Sequence, residues 1–241
     1  VSAPVHRKAL YCAGTLHYMH GDVAEASSLL TEALVSYREA NDPIMIGRSE
    51  LALGRLAWDQ EELDVARTWF GSAKARFEEC GDLAGLAQSL HYLGLVSWSE
   101  GDYRYAETQL RDASRLWQSL GFDWELACCI PGHLADVARA RGDLDEAITL
   151  YKECLEKNRR RHDSENIAWS LAGLAAIAVS DGQVEAAARL MALAEHFREI
   201  TGAPLTPHID RDHHRVMTTV INRIGAERYA TVRAAVRGEE L

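Results

Sequence analysis

Small and large apolar residues alternate along the chain with helical spacing. In the segment that begins at Gly21, Ala26 is followed four positions later by Leu30 and three positions further by Ala33. Offsets of three and four place these side chains on one face of an α-helix. Polar residues fill most positions between them, so the pattern predicts an amphipathic helix with one buried face.

The same unit occurs at regular intervals. It reads GDVAEASSLLTEA from Gly21, EELDVARTWFGSA from Glu61, GDYRYAETQLRDA from Gly101, GDLDEAITLYKEC from Gly142 and GQVEAAARLMALA from Gly182. The sixth residue of each copy is an alanine, namely Ala26, Ala66, Ala106, Ala147 and Ala187, which gives spacings by subtraction of 40, 40, 41 and 40 residues. Such constancy indicates a structural repeat.

A second helix precedes each unit. Seven positions before each turn stands a small residue, with apolar neighbours one position before it and two after it; these small residues are Gly14, Gly54, Gly94, Ala135 and Ala175. Each period is therefore predicted to be a hairpin, helix A followed by helix B. Small residues at the crossing allow two helices to approach closely. A glycine such as Gly21 ends a helix in the left-handed conformation, and Asp22 caps the next helix.

The small–large–small pattern of helix B, together with the small residue of helix A, resembles the tetratricopeptide repeat family over roughly residues 5–201. The resemblance implies an all-α fold, a right-handed α-α superhelix of five hairpins over residues 1–201, with eleven to thirteen helices in all. The period is about 40 residues rather than the usual 34, which implies helices longer by about one turn. The family's closing proline is mostly absent.

Residues 202–241 break the period. Pro204 and Pro207 interrupt the helix; we expect a helix to resume near Asp210 and another to cover Glu227 to Arg237, together capping the exposed core of the last repeat. The string LMALAEHFREITGAPLTP and the segment after it resemble the region that closes the repeat domain of bacterial predicted ATPases and LuxR-type regulators. That resemblance implies a sensor module of a signalling or transcriptional regulator.

Composition narrows the classes of partner. The formal net charge is −10, which repels phosphate backbones, so direct nucleic-acid binding is not expected. The odd number of cysteines, 5, without a CxxC pair favours a reducing cytoplasm and thiols that act as small hydrophobes. We find no apolar run long enough to span a membrane and no signal peptide.

Catalytic and cofactor motifs are missing from the sequence. Neither GxxxxGK[ST] nor GxGxxG, HExxH or GxSxG occurs, so we predict a non-enzyme without cofactor. His208, Asp210, Asp212, His213 and His214 form a mixed cluster that resembles metal ligands; however, adjacent histidines on a helix point to different sides, so no metal site is predicted. The run Arg159–Arg161 is interpreted as a complement to a helix dipole, and the vicinal Cys128 and Cys129 as structural thiols.

The predicted binding site is a groove. In the tetratricopeptide family helix A lines the concave face, and this resemblance assigns to that face the residues Tyr11, Tyr18, Arg48, Arg55, Trp58, His91, Trp98 and Arg139. Aromatic residues and arginine dominate binding hot spots, and arginine binds carboxylates through paired hydrogen bonds. The expected ligand is a protein segment, a peptide or a small acidic effector. The alternative for each tryptophan is packing against the neighbouring repeat. The alternative for the whole chain is a free-standing adaptor that scaffolds a complex or self-associates as a homo-oligomer.

Overall fold

In the computed structural model every regular element of the described residues, 2–121, 125–201 and 207–238, is an α-helix. Side chains are described over the same ranges except residues 125–128, 201 and 207–212. The helices there are α1 (Ala3–Met19), α2 (Val23–Glu39), α3 (Pro43–Asp59), α4 (Leu63–Cys80), α5 (Leu83–Ser99), α6 (Tyr103–Ser119), α7 (Glu125–Arg141), α8 (Leu144–Arg161), α9 (Ser164–Ser180), α10 (Val184–Thr201), α11 (Pro207–Ile224) and α12 (Ala226–Gly238). Their number agrees with the prediction.

The chain divides into two compact units, unit 1 (Val1–Asp123) and unit 2 (Trp124–Leu241). In unit 1 each odd-numbered helix is a helix A and each even-numbered helix a helix B. Helix α2 packs between α1 and α3, and α4 packs between α3 and α5, while α1, α3 and α5 also contact one another in series. In unit 2, α8 packs between α7 and α9, and α7 contacts α9 directly. The hairpins predicted from the spacing are thus stacked within each unit, with the A helices on a common face.

Each of the helices α1 to α9 is followed by a residue in the left-handed conformation. Gly21, Gly101 and Gly142, which the sequence assigned to this role, have φ of 79°, 83° and 86°. Three non-glycine residues adopt the same conformation at equivalent turns, and these are Asn41, Glu61 and His162. The following aspartates cap the next helix in most repeats; Asp102, for example, accepts the backbone N–H of Tyr105 at 3.1 Å.

The small residues lie where two helices cross. The alanines at the fixed position of helix B, Ala26, Ala66, Ala106, Ala147 and Ala187, have no exposed surface. The helix A glycines face the large residue that follows those alanines. A Cβ on Gly54 would lie 2.5 Å from Cε1 of Phe70, and one on Gly94 would lie 2.8 Å from Cγ of Leu110. Close crossing therefore requires a small residue on both helices, as the spacing predicted.

Replacing Ala106 with leucine is expected to destabilise unit 1 by about 1–3 kcal/mol, because the added atoms overfill a close-packed crossing. Ala106 is completely buried, and its carbonyl oxygen would lie 3.3 Å from a Cβ on Gly94. Thermal melting followed by circular dichroism measures the loss. Thr108→Leu is the matched control, since Thr108 lies on the same helix and is exposed; an equal melting temperature for both variants would contradict the assigned crossing.

A buried ion cluster joins α2 and α4, the B helices of two successive repeats, to the helix α3 between them. Glu50 on α3 has no exposed surface. Its Oε1 accepts a hydrogen bond from Nη2 of Arg38 on α2 at 3.1 Å, and its Oε2 accepts one from Nε of Arg76 on α4 at 3.0 Å. Both carboxylate oxygens are therefore satisfied by cations whose side chains remain partly exposed. This glutamate holds α2 and α4 to the helix between them.

The last two helices cover the final hairpin of unit 2. Helix α11 packs on α9 and α10, and α12 packs on α10 and α11. Val216 and Val220 of α11 and Tyr229 of α12 belong to the same apolar cluster as Met191. Helix α11 begins at Pro207 rather than near Asp210, because proline fits the first helical turn. The boundary at residue 201 between repeats and cap stays a prediction.

Membrane-spanning potential and cysteine burial were both predicted from the sequence. None of the helices in the described part of the chain is both long and apolar enough to cross a membrane.

Cys154 is buried, as expected for a small hydrophobe, and burial raises the pKa of its thiol to about 11. Cys12 and Cys80, in contrast, are exposed, so the expectation that the cysteines act as buried hydrophobes is wrong for these two. The side chain of Cys128 lies outside the described residues.

Candidate functional site

The predicted groove residues of unit 1 lie on the face formed by α1, α3 and α5, which is called the A face below. It carries Tyr11 and Tyr18 from α1, Arg48, Arg55 and Trp58 from α3, and His91 and Trp98 from α5. The face is built by the repeat itself, because residues 40 positions apart, such as Tyr18 and Trp58, occupy equivalent places on successive A helices. Its aromatic and basic character contrasts with the negative charge of the whole chain.

Arg55 occupies the middle of this face and joins three repeats. Its Nη2 donates a hydrogen bond to the hydroxyl of Tyr18 at 3.4 Å. The guanidinium carbon lies 4.7 Å from the ring centroid of Tyr18 and 5.7 Å from that of Tyr92, within the range of cation–π attraction. The Tyr18 hydroxyl in turn donates to Oδ2 of Asp59 at 2.6 Å. We call Tyr18, Arg55, Asp59 and Tyr92 the Arg55 network.

The pKa values of the Arg55 network follow from burial and mutual charge. Burial alone lowers the pKa of Arg55, but Tyr92, Tyr18 and Asp59 raise it by more, so its guanidinium stays charged. Burial raises the pKa of Asp59, while the Tyr18 hydrogen bond and the charge of Arg55 lower it in part. The pKa of Tyr18 is raised, chiefly by burial, with Asp59 adding to the effect. The network therefore carries a fixed cation beside a shielded carboxylate.

Arg48 differs from Arg55 because it is exposed. Within the part of the chain that the structure describes, its side chain makes no hydrogen bond or ion pair. It lies near enough to Tyr11 to act on that hydroxyl: burial raises the pKa of Tyr11, and the charges of Arg48 and Arg55 oppose the rise. Of the two arginines predicted for unit 1, Arg48 is thus the one whose donors face solvent, while Arg55 is engaged by protein groups.

The tryptophans and the histidine of the A face are at different depths. Trp58 and Trp98 are half-buried, and Trp58 packs against the apolar cluster that contains Phe70 and Val96. The packing alternative therefore holds in part for Trp58, and a binding role for either tryptophan stays a prediction. His91 is buried, and burial together with the charge of Arg55 lowers its pKa to about 4.

Arg139 lies in unit 2, within a separate polar group. Its Nη2 donates to Oδ1 of Asp136 at 3.4 Å, and the same oxygen accepts the hydroxyl of the buried Tyr151. Burial and the negative charge of Asp136 raise the pKa of Tyr151 well above its ordinary value. The side chain of Arg139 is only 17% exposed, so it is held inside unit 2 rather than presented as an open carboxylate-binding group.

The histidine–aspartate cluster and the arginine run, for which no binding site was predicted, lie on helices α11 and α8. His213 is buried and His214 exposed, so the adjacent rings point to different sides of α11, as expected. The side chains of His208, Asp210 and Asp212 lie outside the described residues. The run Arg159–Arg161 forms the last turn of α8. Asp59 and Tyr92 were not among the groove residues predicted from the sequence.

Comparison with known proteins supports the repeat assignment. Residues 126–195 match the tetratricopeptide repeat family. No curated protein sequence matches the chain. These 70 residues include α8 and α9, where the buried Ala147 and the small Ala175 keep the spacing found in unit 1.

Solved structures share the fold of the chain. BtubC (BKLC) from P. vanneervenii has 19% sequence identity and a TM-score of 0.67, with 82% of both chains covered. The Rap conjugation gene regulator of the plasmid pLS20, solved with the Phr* peptide, has 19% identity and a TM-score of 0.67; the match covers 100% of this chain and 67% of that one. A Rap protein complexed with competence and sporulation factor has 14% identity and a TM-score of 0.73, over 96% of this chain and 63% of that one. At such identities the likeness shows the fold, and it confirms the predicted all-α, tetratricopeptide-like solenoid.

Proposed function

We propose that this chain is a binding module whose ligand, a peptide or a segment of a protein, lies along the A face of unit 1. The observation that carries the proposal is the concentration of half-buried aromatic rings and of the exposed Arg48 on one face of an otherwise acidic chain. Half-buried rings lose little conformational freedom when a ligand covers them, and such rings together with arginine dominate binding hot spots.

The solved relatives support a peptide ligand. Two of the similar structures are Rap proteins, one solved with the Phr* peptide and the other with competence and sporulation factor. A tetratricopeptide-like stack offers an extended face that a short chain can follow through several repeats. The likeness concerns the fold, and the ligand of this chain is proposed from its own A face.

The chemistry of the face suggests a ligand with a carboxylate flanked by apolar side chains. Arg48 offers guanidinium donors to solvent, and Trp58 and Trp98 offer the exposed parts of their rings. Arg55 contributes positive potential, because its charge is fixed, although its donors are engaged by Tyr18. A partly desolvated arginine–carboxylate contact is worth more than the roughly 0–1 kcal/mol of a surface pair.

Replacing Arg48 or Trp58 with alanine is expected to weaken ligand binding by about tenfold each, which corresponds to about 1.4 kcal/mol. The ligand is first selected from a library of peptides displayed with free carboxyl termini. Its affinity for the wild type and for both variants is then measured by isothermal titration calorimetry, and binding should weaken further as salt is raised. An amidated form of the selected peptide tests the role of its carboxylate.

The matched control for Arg48→Ala is Arg104→Ala, which removes the same charge from an exposed position on helix B of the third repeat. Equal affinities for wild type, Arg48→Ala and Trp58→Ala would show that the A face is not the binding surface. Arg55→Ala is a weaker probe of the binding surface than Arg48→Ala, because the Arg55 network joins α1, α3 and α5. Its binding data therefore require a thermal melt of the same sample.

We further propose that the module serves as the sensor of a bacterial signalling or transcriptional regulator, as the resemblance of the C-terminal segment suggests. The alternative is a free-standing adaptor that scaffolds a complex or self-associates. Reading the complete gene separates them: a nucleotide-binding module or a DNA-binding helix-turn-helix in the same reading frame supports the regulator. The predicted absence of enzymatic activity, of a cofactor and of direct nucleic-acid binding stays part of this proposal.

A further inference from the structure

An apolar stripe on α1 faces solvent. Residues 5, 9, 12, 16 and 19 follow one another at intervals of four, three, four and three, which places them on one face of the helix. They are Val5, Ala9, Cys12, Leu16 and Met19. All five are exposed, and Val5, Leu16 and Met19 have 57%, 56% and 74% of their surface accessible. The stripe lies on the side of α1 away from Leu10 and Gly14, which are buried.

At two positions of the stripe, Ala9 and Leu16, the equivalent residues in the later repeats are buried, whereas the residues equivalent to Met19 are half-buried or exposed. The residues that correspond to Leu16, by the spacing of the repeat, are Leu56, Val96, Val137 and Ile177, and they are between 0% and 3% exposed. The residues that correspond to Ala9 in α3, α5 and α9 are Ser49, Ser89 and Ser170, and each has no exposed surface. The stripe from Val5 to Leu16 therefore corresponds to the stacking surface of a helix A, and on α1 this surface is exposed.

Helix B of the preceding repeat covers this surface elsewhere in the chain. Gly85 of α5, which corresponds to Val5, faces the ring of Phe77 on α4: a Cβ on Gly85 would lie 2.5 Å from Cδ1 of that ring. Gly173 of α9, which corresponds to Cys12, faces the ring of Tyr151 on α8 in the same manner. In the first repeat pair, Leu56 of α3 packs in the cluster that contains Leu30 and Tyr37 of α2.

We propose that the α1 stripe docks a further tetratricopeptide-like hairpin, whose helix B packs on α1 as α2 packs on α3. The partner helix carries the small–large–small–aromatic pattern seen in Ala26, Leu30, Ala33 and Tyr37, all of which are buried. The small Ala9 and Cys12 in the middle of the stripe leave room for its central large residue. Continuity with the stacking interface inside unit 1 argues for this occupant.

A second copy of α1 fits the stripe less well. In an antiparallel pair the large Val5 and Met19 would meet at both ends, while Cys12 would meet Cys12 in the middle. Large residues at the ends hold two straight helices apart, so the small central residues would leave a gap, and gaps in an apolar contact lose dispersion energy. Large central residues of a helix B fill that gap.

The experiment adds the hairpin and follows the reactivity of Cys12. A copy of residues 3–42, with Cys12→Ser in the copy alone, is inserted between Ser2 and Ala3, so that its last turn leads into α1 as residues 40–42 lead into α3. Alkylation by iodoacetamide is timed by mass spectrometry in the parent chain and in the extended chain. Cys80 is the internal control, because it is exposed in unit 1 and lies far along the sequence from the insertion.

We expect alkylation of Cys12 to slow by about tenfold or more in the extended chain, as for any site that reacts only after local opening, while the rate at Cys80 stays the same. Leu16→Glu in the original α1 should restore the fast rate at Cys12, because it places a charge in the new contact. A second extension uses a copy of residues 43–82, with Cys80→Ser in the copy, and provides the same helix B pattern. Its alkylation rate is measured if the first extended chain fails to fold.

Two results would overturn the proposal. The first is an unchanged alkylation rate at Cys12 in folded extended chains. The second is a parent chain that sediments as a dimer, has a protected Cys12 and becomes a monomer on Leu16→Glu, since the stripe would then be the contact between two copies of this chain.

Discussion

Replacing Arg38 and Arg76 together with methionine is expected to destabilise unit 1 by about 3–5 kcal/mol, because the change leaves a buried carboxylate without a cation. Glu50 has no exposed surface, and these two arginines supply the hydrogen bonds to its two oxygens. Methionine preserves most of the length of the side chain, so the loss reports on charge rather than on packing. Urea unfolding followed by circular dichroism measures it.

The matched control adds Glu50→Met to the same chain. A buried ion cluster replaced as a whole by apolar residues of similar volume is often neutral or stabilising, so the triple variant should recover most of the lost free energy of unfolding. If the double variant unfolds at the same urea concentration as the wild type, the two arginines do not stabilise the buried carboxylate of Glu50.

Acidification is expected to destabilise unit 1 through His91. The folded-state pKa of His91 is about 4, lowered by burial and by Arg55, whereas an unfolded histidine titrates near 6.5. Below pH 6.5 the unfolded chain therefore binds a proton at this histidine that the folded chain does not bind. The free energy of unfolding falls as a result until the pH reaches the folded pKa. Between pH 7.5 and pH 5 the loss from this residue amounts to about 2 kcal/mol.

The comparison that isolates this effect is wild type against His91→Gln, both unfolded in urea at several pH values. Glutamine keeps a polar side chain of similar size but does not titrate, so the stability curve of the variant should be flatter by the stated amount. Asp59, whose pKa is raised in the folded chain, shifts both curves alike and cancels in the difference. Parallel curves for the two proteins would show that His91 is not held neutral by the fold.

The repeat was predictable because its signal is local and recurs. Ala26, Leu30 and Ala33 lie within one helix, and the same triplet of sizes returns in each period with nearly constant spacing. Fully buried alanines and glycines that face large rings are what that spacing requires. The left-handed turns at Asn41, Glu61 and His162 were less visible, because their side chains do not mark that conformation as glycine does.

The connections of the site were not predictable in the same way. The position of Arg55 on the A face follows from the repeat, but its partner Tyr18 is 37 residues distant in the sequence. Whether an arginine is open or engaged depends on how successive repeats stack, which the pattern of one helix does not specify. Glu50 was missed for a similar reason: a charged residue in a helix is normally solvated, and its partners lie 12 and 26 residues away.

The Arg55 network has a mechanical consequence for unit 1. Helices α1, α3 and α5 contact one another in series along the A face. The guanidinium of Arg55 lies over one ring from α1 and another from α5. Separating these three helices would therefore break both ring contacts of Arg55, so that this side chain stiffens the A face against such a motion.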